Sequence, residues 1–246
     1  MKMKTIFFVL LMFCFSLGVL GQTIAKVKPE DAAVSSSANA AVELSKAALA
    51  AHGGDKLKAI KTLIVRGTAD VTMSSFNQAF PAGFAIVISG ERYRLDIQSQ
   101  FQSLKQVYDG KETFSSIPGF SLPPVTSLGF PVLLHIGDTG YVVSALPETG
   151  KKKGFRVTTR EGFYTDFFVD EKTGQVKGYE SSYDLNGRTI TTSVVIDKYR
   201  IVDGVTVPEK YSQRFDLGQM TAYADFKAKE ILINSPVADD VFTIGK

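Results

Sequence analysis

A chain of 246 residues with a formal charge of +3 is long enough for one or two domains and can bury a sizeable core. The near balance of 28 basic and 25 acidic residues offers no basic tract for nucleic acid, and a single cysteine excludes a disulfide framework or a thiolate metal site. With Lys2 and Lys4 removed the formal charge falls to about +1.

Lys2 and Lys4 precede an uncharged apolar run from Ile6 to Leu20, followed by Gly21. That is the layout of a secretory signal peptide, cut near Gly21 or after Ala25, and it implies export. The rival reading is an N-terminal anchor, for which the run is short against a span of ~20 residues. Cys14 lies inside the run behind bulky Phe13, where a lipidation signal needs a small residue, so the mature chain carries no cysteine. Residues 22–38 are Ala/Ser-rich and contain Pro29; they read as a disordered linker ahead of a folded unit over residues 39–246.

Asn39 is placed to cap a helix from Ala40 to about Ala51, with Ala41, Leu44 and Ala48 on one stripe and Gly53-Gly54 ending it. His52 follows, where a positive charge would suit the helix C-terminus. Asp55 caps a short second turn. Strand patterns then run Leu63–Val71, Phe84–Ile88 and Tyr93–Ile97, the last alternating cleanly with Arg92, Arg94 and Asp96. Phe101–Tyr108 and Lys111–Ile117 flank Asp109-Gly110, a hairpin signal.

From Ile117 to Ile136 the pattern breaks. Pro118, Pro123, Pro124 and Pro131 argue against a strand, yet the stretch is among the most apolar of the mature chain. Ordinary loops are polar, so this one lies against a hydrophobic surface, either as a fixed plug or as a movable lid. Leu128–Ile136 has room for a helical turn with Pro131 near its start. Strands resume at Phe155–Thr159, Phe163–Val169 and Val176–Tyr183, with a polar turn at Asp170–Gly174. Ile190, Thr192, Val194 and Ile196 alternate toward Asp203-Gly204, a two-residue hairpin turn. Val205–Phe215 returns, with Pro208 marking an edge or a bulge, and Thr221–Ile233 closes the meander. The tail with Val241, Phe242 and Ile244 tucks a short turn against the rim.

These patterns predict a mostly β (α+β) fold: one antiparallel curled sheet of roughly ten strands, covered by the N-terminal helix and the apolar proline-containing segment. No motif carries catalysis. The two histidines, His52 and His135, lack partners in sequence, and without cysteine they are a poor supply of zinc ligands. The chain therefore reads as non-enzymatic, with no cofactor and no metal. The candidate site is instead the inner face of the sheet. Ile86, Ile88, Tyr93, Leu95 and Ile97 face it from the early strands. Phe167, Tyr179, Tyr183 and Val194 face it from the late ones, and Phe120, Leu128, Phe130 and Leu134 cover it. Alternation alone also fits a plain core.

The order of helix, strands, apolar insertion and late meander, with Phe168-Val169-Asp170-Glu171-Lys172-Thr173-Gly174, Val207-Pro208 and Asp239-Asp240-Val241-Phe242, resembles the LolA/LolB-like periplasmic lipoprotein-carrier superfamily. The resemblance implies a periplasmic location and an unclosed β-barrel, a half-barrel with a lid over a hydrophobic cavity for a lipid or lipoprotein acyl chain. It also implies transient membrane contact and, in the superfamily's sensor branch, an envelope protein partner. The functional arginine of the lipoprotein carrier has no assigned counterpart among Arg66, Arg92 and Arg94.

Overall fold

The computed structural model describes residues 29–243 apart from 75–77, 101–102, 119–120, 148–151, 186 and 217–220. Helix α1 (Pro29–Ala51) is followed by the single turn α2 (Asp55–Lys58). The helix starts at Pro29 rather than Ala40, so the stretch read as linker is helical from residue 29 onward. Proline suits that first position because its missing N–H would have no partner there. Ala41, Ser45 and Ala48 are buried on the side of α1 that meets the sheet.

Twelve strands make one antiparallel sheet. The first group is β1 (Thr62–Met73), β2 (Phe80–Ser89), β3 (Arg92–Ser99), β4 (Ser103–Tyr108) and β5 (Thr113–Ser115). The second is β6 (Val142–Ser144), β7 (Gly154–Thr158), β8 (Tyr164–Val169), β9 (Val176–Leu185), β10 (Arg188–Val202), β11 (Val205–Asp216) and β12 (Thr221–Ile233). Spatially the order is β5-β4-β3-β2-β1-β12-β11-β10-β9-β8-β7-β6. The chain thus starts at the middle of the sheet, walks out to one edge, crosses to the other edge, and walks back until β12 pairs with β1. The crossing must span the whole width of the sheet, and it is the proline-rich apolar stretch that makes it. Its centre is a 3₁₀ helix, Phe130–His135, with Pro131 at its start.

The sequence missed β6, a three-residue edge strand too short to show a period. At the β10–β11 turn Asp203 and Gly204 have φ of 51° and 81°, the left-handed pair that the Asp-Gly signal requires. Asp109-Gly110 behaves differently. Asp109 accepts hydrogen bonds from the N–H groups of Lys111 and Glu112 and makes a longer loop. Pro208 lies opposite Tyr199 where the β10–β11 register shifts and outside the β11–β12 pairing, which ends at Lys210, so it meets a bulge on one side and a locally unpaired edge on the other. A further bulge at Arg66/Gly67 bends β1; a Cβ on Gly67 would stand 2.1 Å from the Lys227 carbonyl oxygen.

Alternation sorts the strand residues onto two faces. The main core lies on the inner face under α1 and the crossing segment, and includes Leu63, Ile88, Tyr93, Phe155, Phe167 and Val207. The outer face carries a small apolar cluster of Ile64, Val87 and Val107 beneath Phe242. The C-terminal 3₁₀ turn, Asp239–Phe242, therefore packs on the outer face, where Arg92 stands over the Phe242 ring at 4.7 Å and binds Asp239 at 2.8 Å. Ile244 lies outside the described residues.

Candidate functional site: an apolar cavity under the crossing segment

The strand residues expected on the inner face do share it. Register pairs Ile88 with Tyr93, Ile86 with Leu95, and Phe84 with Ile97. Phe167 lies opposite Tyr179, which lies opposite Val194, and Tyr183 opposite Ile190. Between the two halves of this surface is a cavity of about 110 Å³. Leu63, Val65, Ile86 and Ile88 form one wall. Tyr179, Val194, Val207, Pro208 and Tyr211 form the other, and Phe130 and Pro131 of the crossing segment close it.

The structure thus brings Ile86, Ile88, Phe130, Tyr179 and Val194 together around one space. Tyr93, Leu95, Ile97, Phe167 and Tyr183 share the inner face but stand away from the cavity, and Tyr93, Phe155 and Phe167 are fully enclosed by neighbouring side chains. Leu134 packs against the main core, Leu128 is half-buried beside Gly129, and Phe120 lies outside the described residues. Leu63, Val65, Val207, Pro208 and Tyr211 escaped the sequence reading. All but Pro208, which follows Val207 directly beside the register shift, alternate in phase with residues that were chosen, so parity across the ladder was a usable signal.

Three polar anchors hold the crossing segment down. At its start, buried Gln106 on β4 accepts the Leu122 N–H at 2.7 Å and donates to the Leu122 carbonyl at 2.8 Å. Gln106 also binds the Tyr93 hydroxyl at 2.5 Å. In the middle, the Gly129 N–H donates to the Thr165 hydroxyl at 3.0 Å, itself 3.0 Å from Ser181. Burial pushes the Tyr179 hydroxyl up to about 12, opposed by a hydrogen bond from the Phe130 backbone. At its end, Lys58 on α2 donates to the Ile136 carbonyl at 2.9 Å and to Asp138 at 3.0 Å. Partial burial works against ionising Asp138, but Lys58 and His135 outweigh it and hold the carboxyl below its usual range. His135 is a surface residue of the segment, stacked on Tyr141 with ring centres 4.6 Å apart.

Gln106 carries a measurable prediction. Gln106→Leu leaves the Leu122 N–H without a partner and its carbonyl with only the long Ser121 hydroxyl contact, which costs about 2–3 kcal/mol of stability, read as a lower chemical denaturation midpoint. An unchanged midpoint would show that water reaches Leu122 and that this anchor is dispensable.

His52 is not the charged helix end that its position suggested. It is fully buried. The Val176 N–H donates to its Nε2 at 3.1 Å, so Nε2 is unprotonated and Nδ1 carries the hydrogen that goes to the Thr206 carbonyl at 2.7 Å. Its own carbonyl accepts the Thr206 N–H at 3.2 Å. The ring meets Phe130 edge-on at 5.2 Å and tilts against Tyr199 at 5.1 Å. One imidazole therefore joins the end of α1, the starts of β9 and β11, and the crossing segment. Burial lowers its pKa against the Thr206 bond, which raises it. Among the described residues no group of three or more His, Cys, Asp or Glu converges in a way that could hold a metal ion.

No family model matches the chain, and no curated protein matches it. Solved structures do. A LolA superfamily protein from Nitrosomonas europaea superposes with a TM-score of 0.51 at 12% identity, covering 80% of this chain and 97% of that one. A DUF1329 family protein from Desulfovibrio piger gives a TM-score of 0.48 at 10% identity, over 83% and 97% of the two chains. A putative outer membrane lipoprotein-sorting protein domain from Vibrio parahaemolyticus gives 0.46 at 10% identity, over 82% and 95%. The first of these establishes the architecture: an unclosed antiparallel sheet with an N-terminal helix, the LolA-like fold.

Proposed function

We propose that this protein is a non-enzymatic binding or carrier protein of the cell envelope, exported to the periplasm, which holds an acyl chain of a lipid or lipoprotein against the inner face of its sheet. The observation that carries this reading is the apolar cavity closed by Phe130 and Pro131. Protein interiors are packed with few voids, and an unfilled apolar space between two walls of one sheet is a place for a guest.

The size of the cavity says which state this is. Apolar cavities of ~150 Å³ accept a benzene-sized guest, and ligand pockets run to ~300 Å³ and above. The space here, about 110 Å³, takes a few methylenes and no long chain. On this reading the present state is the closed one, with the crossing segment acting as the lid. Each anchoring hydrogen bond contributes about 0.5–1.5 kcal/mol, whereas a buried acyl chain returns about 0.8 kcal/mol for every CH₂. A chain of ordinary length offsets the release of the anchors and occupies the room that Phe130 vacates. The lipoprotein-sorting description of the Vibrio protein and the superfamily of the Nitrosomonas protein agree with such a guest.

Native mass spectrometry of the protein purified from its own envelope tests this. The expected spectrum shows protein with one lipid-sized adduct that organic extraction removes, and the emptied protein takes up a fluorescent fatty-acyl ester. Protein without adduct and without uptake, or carrying a stoichiometric protein instead, would sink the acyl reading.

A further inference from the structure

The cavity is apolar except at two tyrosines, and they are not equivalent. The Tyr179 hydroxyl lies near the Phe130 backbone of the crossing segment, which draws its pKa down against the effect of burial. Tyr211 lines the same cavity from β11, yet its hydroxyl has no hydrogen-bond partner among the described residues. It is not sealed in protein either. The one buried side-chain polar atom that lacks a partner among the described residues is the Thr159 hydroxyl, so the Tyr211 hydroxyl keeps contact with open space. The ring cannot easily turn it elsewhere, because it stacks on Phe226 with centres 4.8 Å apart and planes 14° from parallel. A phenol that lines an apolar cavity and donates to no protein acceptor is free to donate to a guest.

We propose that the Tyr211 hydroxyl is the specificity-determining group of the cavity, donating a hydrogen bond to a carbonyl carried beside the alkyl chain of the ligand. The ligand class is therefore an ester, an amide or an uncharged acid, and not a bare hydrocarbon. This rests on the acyl-binding reading above and narrows it. Burial raises the hydroxyl's pKa above the ordinary phenol range, so it keeps its proton and stays a donor at neutral pH. A carboxylate would have to enter the same apolar space as a bare charge, which selects against free fatty-acid anions.

Methyl hexanoate and heptane, titrated separately into ¹⁵N-labelled protein and followed by NMR, test the assignment. Tyr211→Phe keeps the ring and its stack on Phe226 and removes only the donor. In the variant, affinity for the ester is expected to fall about tenfold while affinity for heptane stays the same. A second readout needs no variant: the infrared stretch of a ¹³C-labelled ester carbonyl moves to lower frequency when bound to the wild-type protein. If both probes weaken together, if neither changes, or if the carbonyl stretch keeps its hydrocarbon-solvent position, the role of Tyr211 is overturned while acyl binding stands. If neither probe binds the wild-type protein, the acyl-binding reading falls and takes this inference with it.

Discussion

Replacing His52 by alanine is expected to cost about 4 kcal/mol of folding stability, the largest effect of any polar substitution in the molecule. The substitution strips the ring partner from the Thr206 carbonyl and the acceptor from the Val176 N–H, both enclosed. It also opens a void against Phe130 and Tyr199. Each unmet backbone group costs about 1–3 kcal/mol, and the void adds to that. Equilibrium denaturation measures it, and a loss below about 1 kcal/mol would show that water replaces the ring without penalty.

The same residue sets a pH dependence. The native fold holds His52 neutral, because a proton on Nε2 would point at the Val176 N–H. Burial lowers its folded pKa below the ordinary imidazole value of about 6.5, so below that value the unfolded chain binds more protons than the folded one. The contribution is fully present above about pH 6.5 and is lost as the pH falls through that value toward the folded pKa, at up to about 1.4 kcal/mol for each pH unit. His52→Asn, which can keep one of the two ring hydrogen bonds, removes this slope between pH 6.5 and 5. His135 is common to both proteins and drops out of the difference. Parallel stability curves for the two proteins over that window would contradict the neutral tautomer.

Gly129→Ala is expected to lift the crossing segment without unfolding the sheet. Gly129 has φ 68° and ψ −148°, a region that only glycine occupies at low cost, and a Cβ there would lie 2.8–3.1 Å from the Tyr179 ring. Tyr179 is held in the middle of the ladder opposite Phe167 and Val194, and the far end of its side chain borders the cavity, so the backbone strain at Gly129 carries most of the cost. Strain and overlap together come to about 3 kcal/mol, and the chain escapes most of it by releasing the segment rather than by opening the strands. Hydrogen exchange should then quicken at the amides of 130–136 while the β1–β12 ladder stays protected, and uptake of a fluorescent acyl probe should become faster. Uniform loss of protection across the sheet, or no change anywhere, would show that this stretch is not a separable cover.

The parts of the fold that could be read from sequence are those written in side-chain alternation and turn chemistry. Tyr93, Leu95 and Ile97 against Arg92, Arg94 and Asp96 fixed both the strand and its faces, and Asp203-Gly204 marked a turn that only such a pair makes. The composition of 117–136 also told that it lies on something apolar. The anchors were less visible, for a physical reason: a polar residue at an inward position looks like a break in the pattern. Thr165, Ser181 and Gln106 stand in phase with core residues, and each is there because the crossing segment brings backbone groups that must be met. His52 was misjudged because a helix end favours positive charge only where water is present, and here Thr206 and Val176 exclude it. The helix before Ala40 was hidden by its Ala/Ser composition, which suits a linker as well as a helix.

In the sheet, every neighbouring pair of strands is consecutive in the chain except β1 and β12. Ten of the eleven junctions can zip from a nearby hairpin, at the small entropy of a short loop. The remaining junction joins Leu63 to Ile233 and Met73 to Ala222 across nearly the whole chain. The entropy of ordering the molecule is concentrated in that single seam, so the two meanders become one cooperative body only when the first strand meets the last.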